Sequence, residues 1–146
     1  MARHDDPYEI VWLVRRLFRA MAQRADSELD DLGISAADRA VMEFLFPDSA
    51  LTVPEIAARY QVSRQHVQVT VNRLLDARYL VTRENPRHKR SPLIALSKSG
   101  ERLFREIRAR EAKLVRDAFA GTSSKDRGVT RDTLGTLLSR FQEQGQ

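Results

Sequence analysis

Two short helical segments joined by a tight turn constrain this chain more than any other feature of its sequence. Thr52, a favoured cap residue, opens the first segment, and Ser63 caps the second, which is expected to run to about Arg78. The small side chain of Ala57 lets the helices approach closely, and Val67 packs against it from the second helix. The two helices are therefore expected to keep a fixed angle, with one face of the second helix directed outward.

A change of period follows the second helix. Leu80-Val81-Thr82 and Leu93-Ile94-Ala95-Leu96 are typical of two short strands, and a polar loop with two prolines separates them. This pattern predicts a hairpin with a long basic tip. A pair of helices followed by such a hairpin describes a winged helix-turn-helix.

Long amphipathic helices are predicted on both sides of this unit. Apolar residues recur at spacings of three and four from Tyr8 to Leu32, and a shorter helix is expected from Ser35 to Phe46. Another long helix is expected from Lys98 to about Ala120, with a last one after the break at Gly121. The expected fold class is mostly α with a small β-hairpin wing, in which long helices flank a winged helix-turn-helix core.

Charge is unevenly distributed along the chain, whose net charge is +5. Residues 1–58 carry 6 basic and 11 acidic side chains, residues 59–90 carry 8 and 2, and residues 91–146 carry 11 and 7. A basic middle segment beside an acidic one is typical of a surface that binds a polyanion. A solvated charged face is the alternative explanation of the same pattern.

Several functional classes are excluded or disfavoured by what the sequence lacks. It has no cysteine, which excludes disulfides and thiolate zinc sites. It has no apolar run of about 20 residues and no apolar signal segment, so we expect a cytoplasmic protein without membrane contact. His4, His66 and His88 lack metal-ligand spacing, and no glycine-rich phosphate loop or nucleophile motif is present. We therefore expect no enzyme activity, metal or cofactor.

The outward face of the second helix carries the candidate DNA-binding residues. Its amide side chains are suited to adenine, Arg73 to guanine and Val69 to a thymine methyl, whereas Ser63 and Arg64 at the helix start are suited to phosphates. An ordinary amphipathic helix pair is the alternative. The full predicted set is Ser63, Arg64, Gln65, Gln68, Val69, Asn72 and Arg73.

The hairpin tip provides a second set of candidates. It is strongly basic, and a hairpin of this size can enter a minor groove, where arginine responds to the negative potential. A mobile, solvated loop is the alternative. The predicted wing residues are Arg83, Arg87, His88, Lys89 and Arg90.

These motifs together resemble the MarR family of bacterial transcription regulators. The resemblance extends from about Tyr8 to Phe141 and depends on the order of elements together with local motifs. The motifs are Pro54-Glu55-Ile56-Ala57, Val62-Ser63, the segment from Leu74 to Val81, and Arg90 followed by Leu96-Ser97 and Gly100.

Three positions depart from the family pattern. The wing of the family carries an Asp-x-Arg element, and the matching residues here are His88-Lys89-Arg90, so the arginine is kept and the aspartate is lost. Tyr79 stands where the family usually has glycine, and Gln61 lies near a turn position that often holds glycine.

The resemblance implies a homodimer in which the first and last helices interleave between subunits. It is consistent with apolar residues that a single copy of this length would struggle to cover: Trp12, Phe18, Leu134, Leu138 and Phe141. The dimerisation region is expected to comprise 1–34 and 121–146 with part of the 98–120 helix. The DNA-binding lobe is expected over 35–97, and all of these form one structural unit.

Many relatives bind small effectors between these regions, and Trp12, Arg16 and Phe44 are the candidates here. The expected function is therefore a sequence-specific regulator that binds double-stranded DNA, acting as a ligand-responsive repressor on a pseudo-palindromic operator. The alternative is a winged-helix architectural or protein-docking module without promoter specificity.

Overall fold

The computed structural model describes residues 6–143 and has the mostly helical architecture with a small hairpin that the sequence predicts. Its elements, in chain order, are α1 (Pro7–Leu29), α2 (Ala36–Leu45), α3 (Val53–Tyr60), α4 (Arg64–Asp76), β1 (Leu80–Arg83), β2 (Leu93–Leu96), α5 (Lys98–Ala118) and α6 (Ser124–Glu143). The predicted fold class, a winged helix-turn-helix flanked by long helices, is confirmed.

Side-chain caps determine where the short helices begin. The Ser35 hydroxyl accepts a hydrogen bond from the Asp38 N–H at 3.1 Å, and the Asp38 carboxylate accepts one from the Ser35 N–H at 2.9 Å. Thr52 and Glu55 form the same reciprocal pair at the start of α3. There the backbone N–H of Thr52 lowers the pKa of the Glu55 carboxyl below its usual value. These bonds, with the Ser63 cap of α4, satisfy N–H groups that a helix start leaves unpaired.

α4 ends at Asp76, two residues before the predicted end at Arg78. Arg78 adopts the left-handed conformation with φ 63° and donates its N–H to the Leu75 carbonyl at 2.9 Å. The N–H of Tyr79 then reaches back to the Leu74 carbonyl, also at 2.9 Å. This pair of bonds closes the helix in a Schellman motif, so the left-handed residue precedes Tyr79.

Two other helical segments end through left-handed residues. α1 stops at Leu29, where the prediction continued to Leu32, and the chain tightens into a single 3-10 turn over Asp30–Leu32. Gly33 follows with φ 65°, a conformation that glycine adopts without steric cost. Gln61 ends α3 with φ 57°, and it lies near the turn position for which the family resemblance implies glycine.

The core is centred on the inward face of α4. Val67, Val71 and Leu74 are at most 2% exposed, and they pack in one cluster with Ile56 of α3. The same cluster continues into α2, α5 and β2, and its other fully buried large residues are Val41, Met42, Leu45, Ile94, Phe104 and Ile107. Burial of this face leaves the opposite face of α4 in solvent.

The hairpin is joined directly to the helix-turn-helix. β1 and β2 pair antiparallel, with Leu80 opposite Leu96 and Arg83 opposite Leu93. Leu51, just before α3, exchanges two backbone hydrogen bonds with Ile94 of β2, at 2.7 and 3.0 Å. Because the bridge is made by backbone atoms, it fixes the base of the wing relative to α3.

The chain forms two compact units whose boundary lies inside α5. The first extends to Glu111 and includes the predicted DNA-binding lobe, and the second begins at Ala112 and includes α6. Leu29 is the one residue of α1 that is buried within the first unit. No residue of α6 is buried within the second unit. None of the helices within residues 6–143 has the length and apolar character to cross a membrane.

Gly100 in the first turn of α5 is expected to tolerate no side chain. A Cβ at this position would lie 2.0 Å from the carbonyl oxygen of Tyr79, which is backbone and cannot rotate away. We expect Gly100→Ala to lower the free energy of unfolding by about 1–3 kcal/mol, measured by urea denaturation at one fixed protein concentration.

Gly128→Ala in α6 is the matched control, because a Cβ there meets nothing within 4 Å. It should raise stability by about 0.5–1 kcal/mol, the usual gain for alanine over glycine in a helix. Equal stability of the Gly100→Ala variant and the native chain would contradict the close approach of α5 to Tyr79.

Candidate nucleic-acid interface

The outward face of α4 carries every predicted residue of the recognition helix. Thr70 lies on the buried face and donates its hydroxyl to the His66 carbonyl, so it is not available to an outside partner. The predicted residues are all exposed, and they are Ser63, Arg64, Gln65, Gln68, Val69, Asn72 and Arg73. From Ser63 to Leu75 this helix carries no acidic side chain, and Asp76 is its final residue.

The start of α4 combines a cap with a basic side chain. The Ser63 hydroxyl accepts the N–H of His66 at 3.0 Å, while Arg64 beside it is exposed. N–H groups at a helix start give it a partial positive charge, which attracts anions such as phosphate.

Gln68 and Asn72 lie one helical turn apart and are joined to each other. The side-chain amide of Gln68 donates to the Asn72 carbonyl oxygen at 2.8 Å. This bond orients both amides and leaves the Gln68 carbonyl oxygen and the Asn72 amide group open to solvent. A base edge that offers a donor beside an acceptor, as adenine does, complements this pair.

Arg73 differs from the other outward residues because it is held by the protein. Its guanidinium forms an ion pair with Asp38 of α2, through Nε at 3.0 Å and through Nη2. Nη2 also donates to the Ser35 hydroxyl at 3.2 Å. Asp38 is 2% exposed, so a buried carboxylate ties the recognition helix to α2.

The wing residues are uniformly exposed. Within the described residues, none of the basic side chains of the tip forms an ion pair, and these are Arg83, Arg87, His88, Lys89 and Arg90. Asn85 shapes the loop instead: its amide donates to the Ser91 carbonyl at 2.9 Å, and its side-chain oxygen accepts the N–H of Arg87 at 3.1 Å.

One groove joins the recognition helix to the wing. It encloses about 440 Å³, and its α4 wall is formed by Arg64, Gln65, Gln68 and Leu75. Arg90 and Thr82 line it from the hairpin, and Pro54 lines it from α3. The structure therefore brings predicted base-reading residues and a predicted wing arginine onto the same concave surface.

The predicted dimerisation residues are exposed in the single chain. Trp12 and Phe18 of α1 are 56% and 68% exposed, and Leu134, Leu138 and Phe141 of α6 are 39%, 60% and 66% exposed. Apolar side chains of this size are rarely left in water in such number, so both helices present faces that favour burial against another surface.

The predicted effector residues occupy separate places. Trp12 and Arg16 lie on α1, whereas Phe44 lies on α2 and packs against Tyr60 with ring centroids 6.0 Å apart. A shallow hollow that contains Arg16 is lined by α1 residues alone and includes neither Trp12 nor Phe44. No group of three or more His, Cys, Asp or Glu residues suited to a metal occurs between residues 6 and 143.

Sequence analysis did not identify Asp38 as part of this surface. The capping motif at the start of α2 accounts for one carboxylate oxygen, but the pairing with Arg73 spans 35 positions and has no local pattern. The one local signal was that Asp38 closes the capping motif at the start of the amphipathic helix α2.

Comparison with known proteins gives a consistent result. The profile of the MarR family matches residues 40–91. The uncharacterized protein Rv2011c of Mycobacterium tuberculosis is 30% identical over 133 residues, which cover 91% of this chain and 87% of that protein.

Solved structures match over nearly the whole chain. The MarR family transcription regulator SP03579 has a TM-score of 0.85 and 26% identity, covering 93% of this chain and 90% of that one. MepR, a transcription regulator of the Staphylococcus aureus multidrug efflux pump MepA, has a TM-score of 0.79 and 20% identity, covering 90% and 97%. A mutant of S. aureus MepR bound to an oligodeoxyribonucleotide matches with a TM-score of 0.68, 20% identity and the same coverage.

Asn85 is expected to hold the wing tip in shape. Replacing it with alanine removes the bonds to Ser91 and Arg87, so the backbone of residues 84–91 should exchange amide hydrogen faster, by about fivefold or more for a net loss of about 1 kcal/mol. Hydrogen–deuterium exchange measures this directly. Lys89→Ala is the control, because its side chain makes no hydrogen bond within the described chain, and identical exchange in both variants would contradict the role of Asn85.

Proposed function

Since the chain belongs to the MarR family of transcription regulators, we propose that it is a homodimeric, ligand-responsive repressor that binds a pseudo-palindromic operator in double-stranded DNA. The observation that carries this proposal is the groove in which the polar face of α4 meets the basic wing. Its size and charge suit a DNA surface, and a helix of this kind can enter a major groove.

Base recognition is assigned to the amide side chains and Val69. Gln65 and Gln68 face the groove, and Asn72 extends the same face by one turn. Amide side chains bond adenine through its N6 and N7, and the methyl groups of Val69 can contact a thymine methyl. The proposed operator half-site is therefore rich in A·T pairs where α4 enters.

The backbone contacts are assigned to the helix start and the wing. Ser63 and Arg64 lie where a phosphate would meet the positive end of α4, and Arg90 lies across the groove from Arg64. Arg83, Arg87, His88 and Lys89 extend the basic surface along the wing, toward a flanking minor groove.

A second copy of the chain is the proposed partner for the exposed apolar faces. Burial of Trp12, Phe18, Leu134, Leu138 and Phe141 in a symmetric dimer would remove them from water. Two-fold symmetry would then present two recognition helices to half-sites about 10 base pairs apart. The dimerisation region proposed is 1–34 and 121–146 with part of α5, and the DNA-binding lobe is 35–97.

Repression follows most simply from occupancy of a promoter. A ligand that binds better to a dimer with another separation of its lobes would shift the population away from the DNA-binding state. Trp12, Arg16 and Phe44 are the proposed effector contacts. The solved structures that this chain resembles include transcription regulators, and the proposal supposes a role of the same kind for this chain.

The proposal is tested by selecting the fragments of sheared genomic DNA that the purified protein binds. The enriched fragments are then titrated with the protein at two salt concentrations. Enrichment of a palindrome bound at least about 10³-fold more tightly than random DNA would support a regulator. Uniform, steeply salt-dependent binding would support an architectural protein, and no binding would support protein docking. Sedimentation of the free protein tests the dimer.

Gln68 and Asn72 are expected to act as one reading unit. Each alanine substitution should cost about 1–3 kcal/mol on the selected site, and the double variant should cost less than the sum because either change breaks the shared bond. Competition titration of the four proteins measures the coupling. The pair Gln65 and Gln68, which shares no hydrogen bond, is the control and should be closer to additive.

Arg90 is expected to contribute one phosphate contact. Arg90→Ala should lower affinity and reduce the slope of log K against log salt by about 0.9. Arg102→Ala is the control, since Arg102 is an exposed arginine of α5 that does not line the groove. A salt slope unchanged by Arg90→Ala would remove the wing from the interface.

A further inference from the structure

Arg73 and Asp38 form a contact that base reading does not explain. One oxygen of the Asp38 carboxylate accepts from Nε and Nη2 of Arg73, and the other accepts the backbone N–H of Ser35 at 2.9 Å. The carboxylate is therefore fully satisfied although its side chain is only 3% exposed. A buried charge of this kind is stable only while its partner stays in place.

The guanidinium of Arg73 is divided between two environments. Nε and Nη2 face Asp38 and Ser35, and both N–H groups of Nη2 are used there. Nη1 has no hydrogen-bond partner among residues 6–143, and the side chain as a whole is 52% exposed. Recognition of guanine needs two parallel N–H donors from one edge of the guanidinium. The two edges that offer such a pair are Nη1 with Nη2 and Nε with Nη2, and both of them include Nη2. Arg73 therefore has no open fork to offer a base.

The position of Arg73 along α4 suits a contact with the DNA backbone. It lies nine residues after Arg64, which corresponds to about 14 Å along the helix axis, whereas the major groove is about 12 Å wide. If the first turns of α4 insert into the DNA major groove, the part of the helix that carries Arg73 lies near the edge of that groove. Among the residues of α4, Arg64, Gln65, Gln68 and Leu75 line the groove of the protein and Arg73 does not, so Arg73 lies outside that concave surface.

We propose that Arg73 is a buttressed phosphate ligand, in which Asp38 fixes the side chain on α2 while Nη1 binds a phosphate oxygen at the groove edge. The inference depends on the proposed DNA-binding function and adds a contact to it. A phosphate at Nη1 is closer to the guanidinium than to the buried carboxylate, so the net interaction is attractive. The ion pair also orders the side chain beforehand, which reduces the entropy lost on binding.

The variants Arg73→Gln, Asp38→Asn and the double variant Asp38→Asn/Arg73→Gln test this contact. Arg73→Gln leaves Asp38 unpaired and is expected to destabilise the fold, whereas the double variant contains no unpaired buried charge and retains groups that can hydrogen-bond. Affinity for the selected operator and for random DNA is measured at several salt concentrations, with thermal unfolding of each protein recorded alongside.

Loss of Arg73, alone or in the double variant, should lower the affinity for the operator and for random DNA by the same factor of about ten. This factor corresponds to one charge-assisted hydrogen bond. The slope of log K against log salt should fall by about 0.9 in both. Asp38→Asn keeps the arginine, so its slope should equal that of the native protein while its affinity falls. The base preference found by selection should stay unchanged in all three.

Other outcomes separate the failure of this inference from the failure of the function. If the affinity falls for the operator alone and the base preference is lost at one position of the site, Arg73 reads a base. That result would overturn the inference and leave the proposed function standing. A lower melting temperature with an unchanged salt slope in the double variant would leave only a structural ion pair and would also overturn it. Absence of DNA binding by the native protein would overturn the proposed function together with the inference.

Discussion

The burial of one face of α4 is the constraint on which the candidate interface depends. Val67, Val71 and Leu74 are almost completely removed from water, and each such side chain contributes about 1.5–3 kcal/mol. Turning the helix about its axis would expose them, so the opposite face is fixed in solvent without any contact of its own. The Asp38 ion pair adds a directional restraint to this non-directional packing, because it allows only one rotation of α4 against α2.

A second set of contacts ties α5 to the helices that precede it. Arg39 of α2 forms an ion pair with Glu111 and lies over the Phe104 ring, and the Glu111 carboxylate raises the pKa of Arg39 above its usual value. Exposed pairs of this type contribute little on their own. Here the guanidinium also lies over a buried aromatic ring, so the ion pair and the cation–π contact stabilise the same junction between α2 and α5.

Local signals explain what the sequence could predict, and non-local contacts explain what it could not. Caps at Ser35, Thr52 and Ser63 are read within a few residues, and the strand Leu93–Leu96 was predicted with its observed bounds. The apolar pattern of α5 did not single out Phe104, which is buried in the core and packs against the distant Phe46 with ring centroids 5.0 Å apart. The Arg73–Asp38 pair could not be predicted either, because its partners are 35 positions apart in the sequence. In the sequence, Arg73 therefore could not be distinguished from the other polar residues on the outward face of α4.

The wing shows how a departure from the family pattern can keep its architecture. An aspartate in the wing would orient an arginine by an ion pair, but it would also cancel part of the positive charge. Here His88 takes that position, and the loop is held by hydrogen bonds from the uncharged Asn85 to backbone groups. Within residues 6–143 no carboxylate forms an ion pair with Arg90 or Lys89, so both side chains remain open to an outside anion. The loss of the aspartate therefore changes how the wing is shaped without reducing its positive charge.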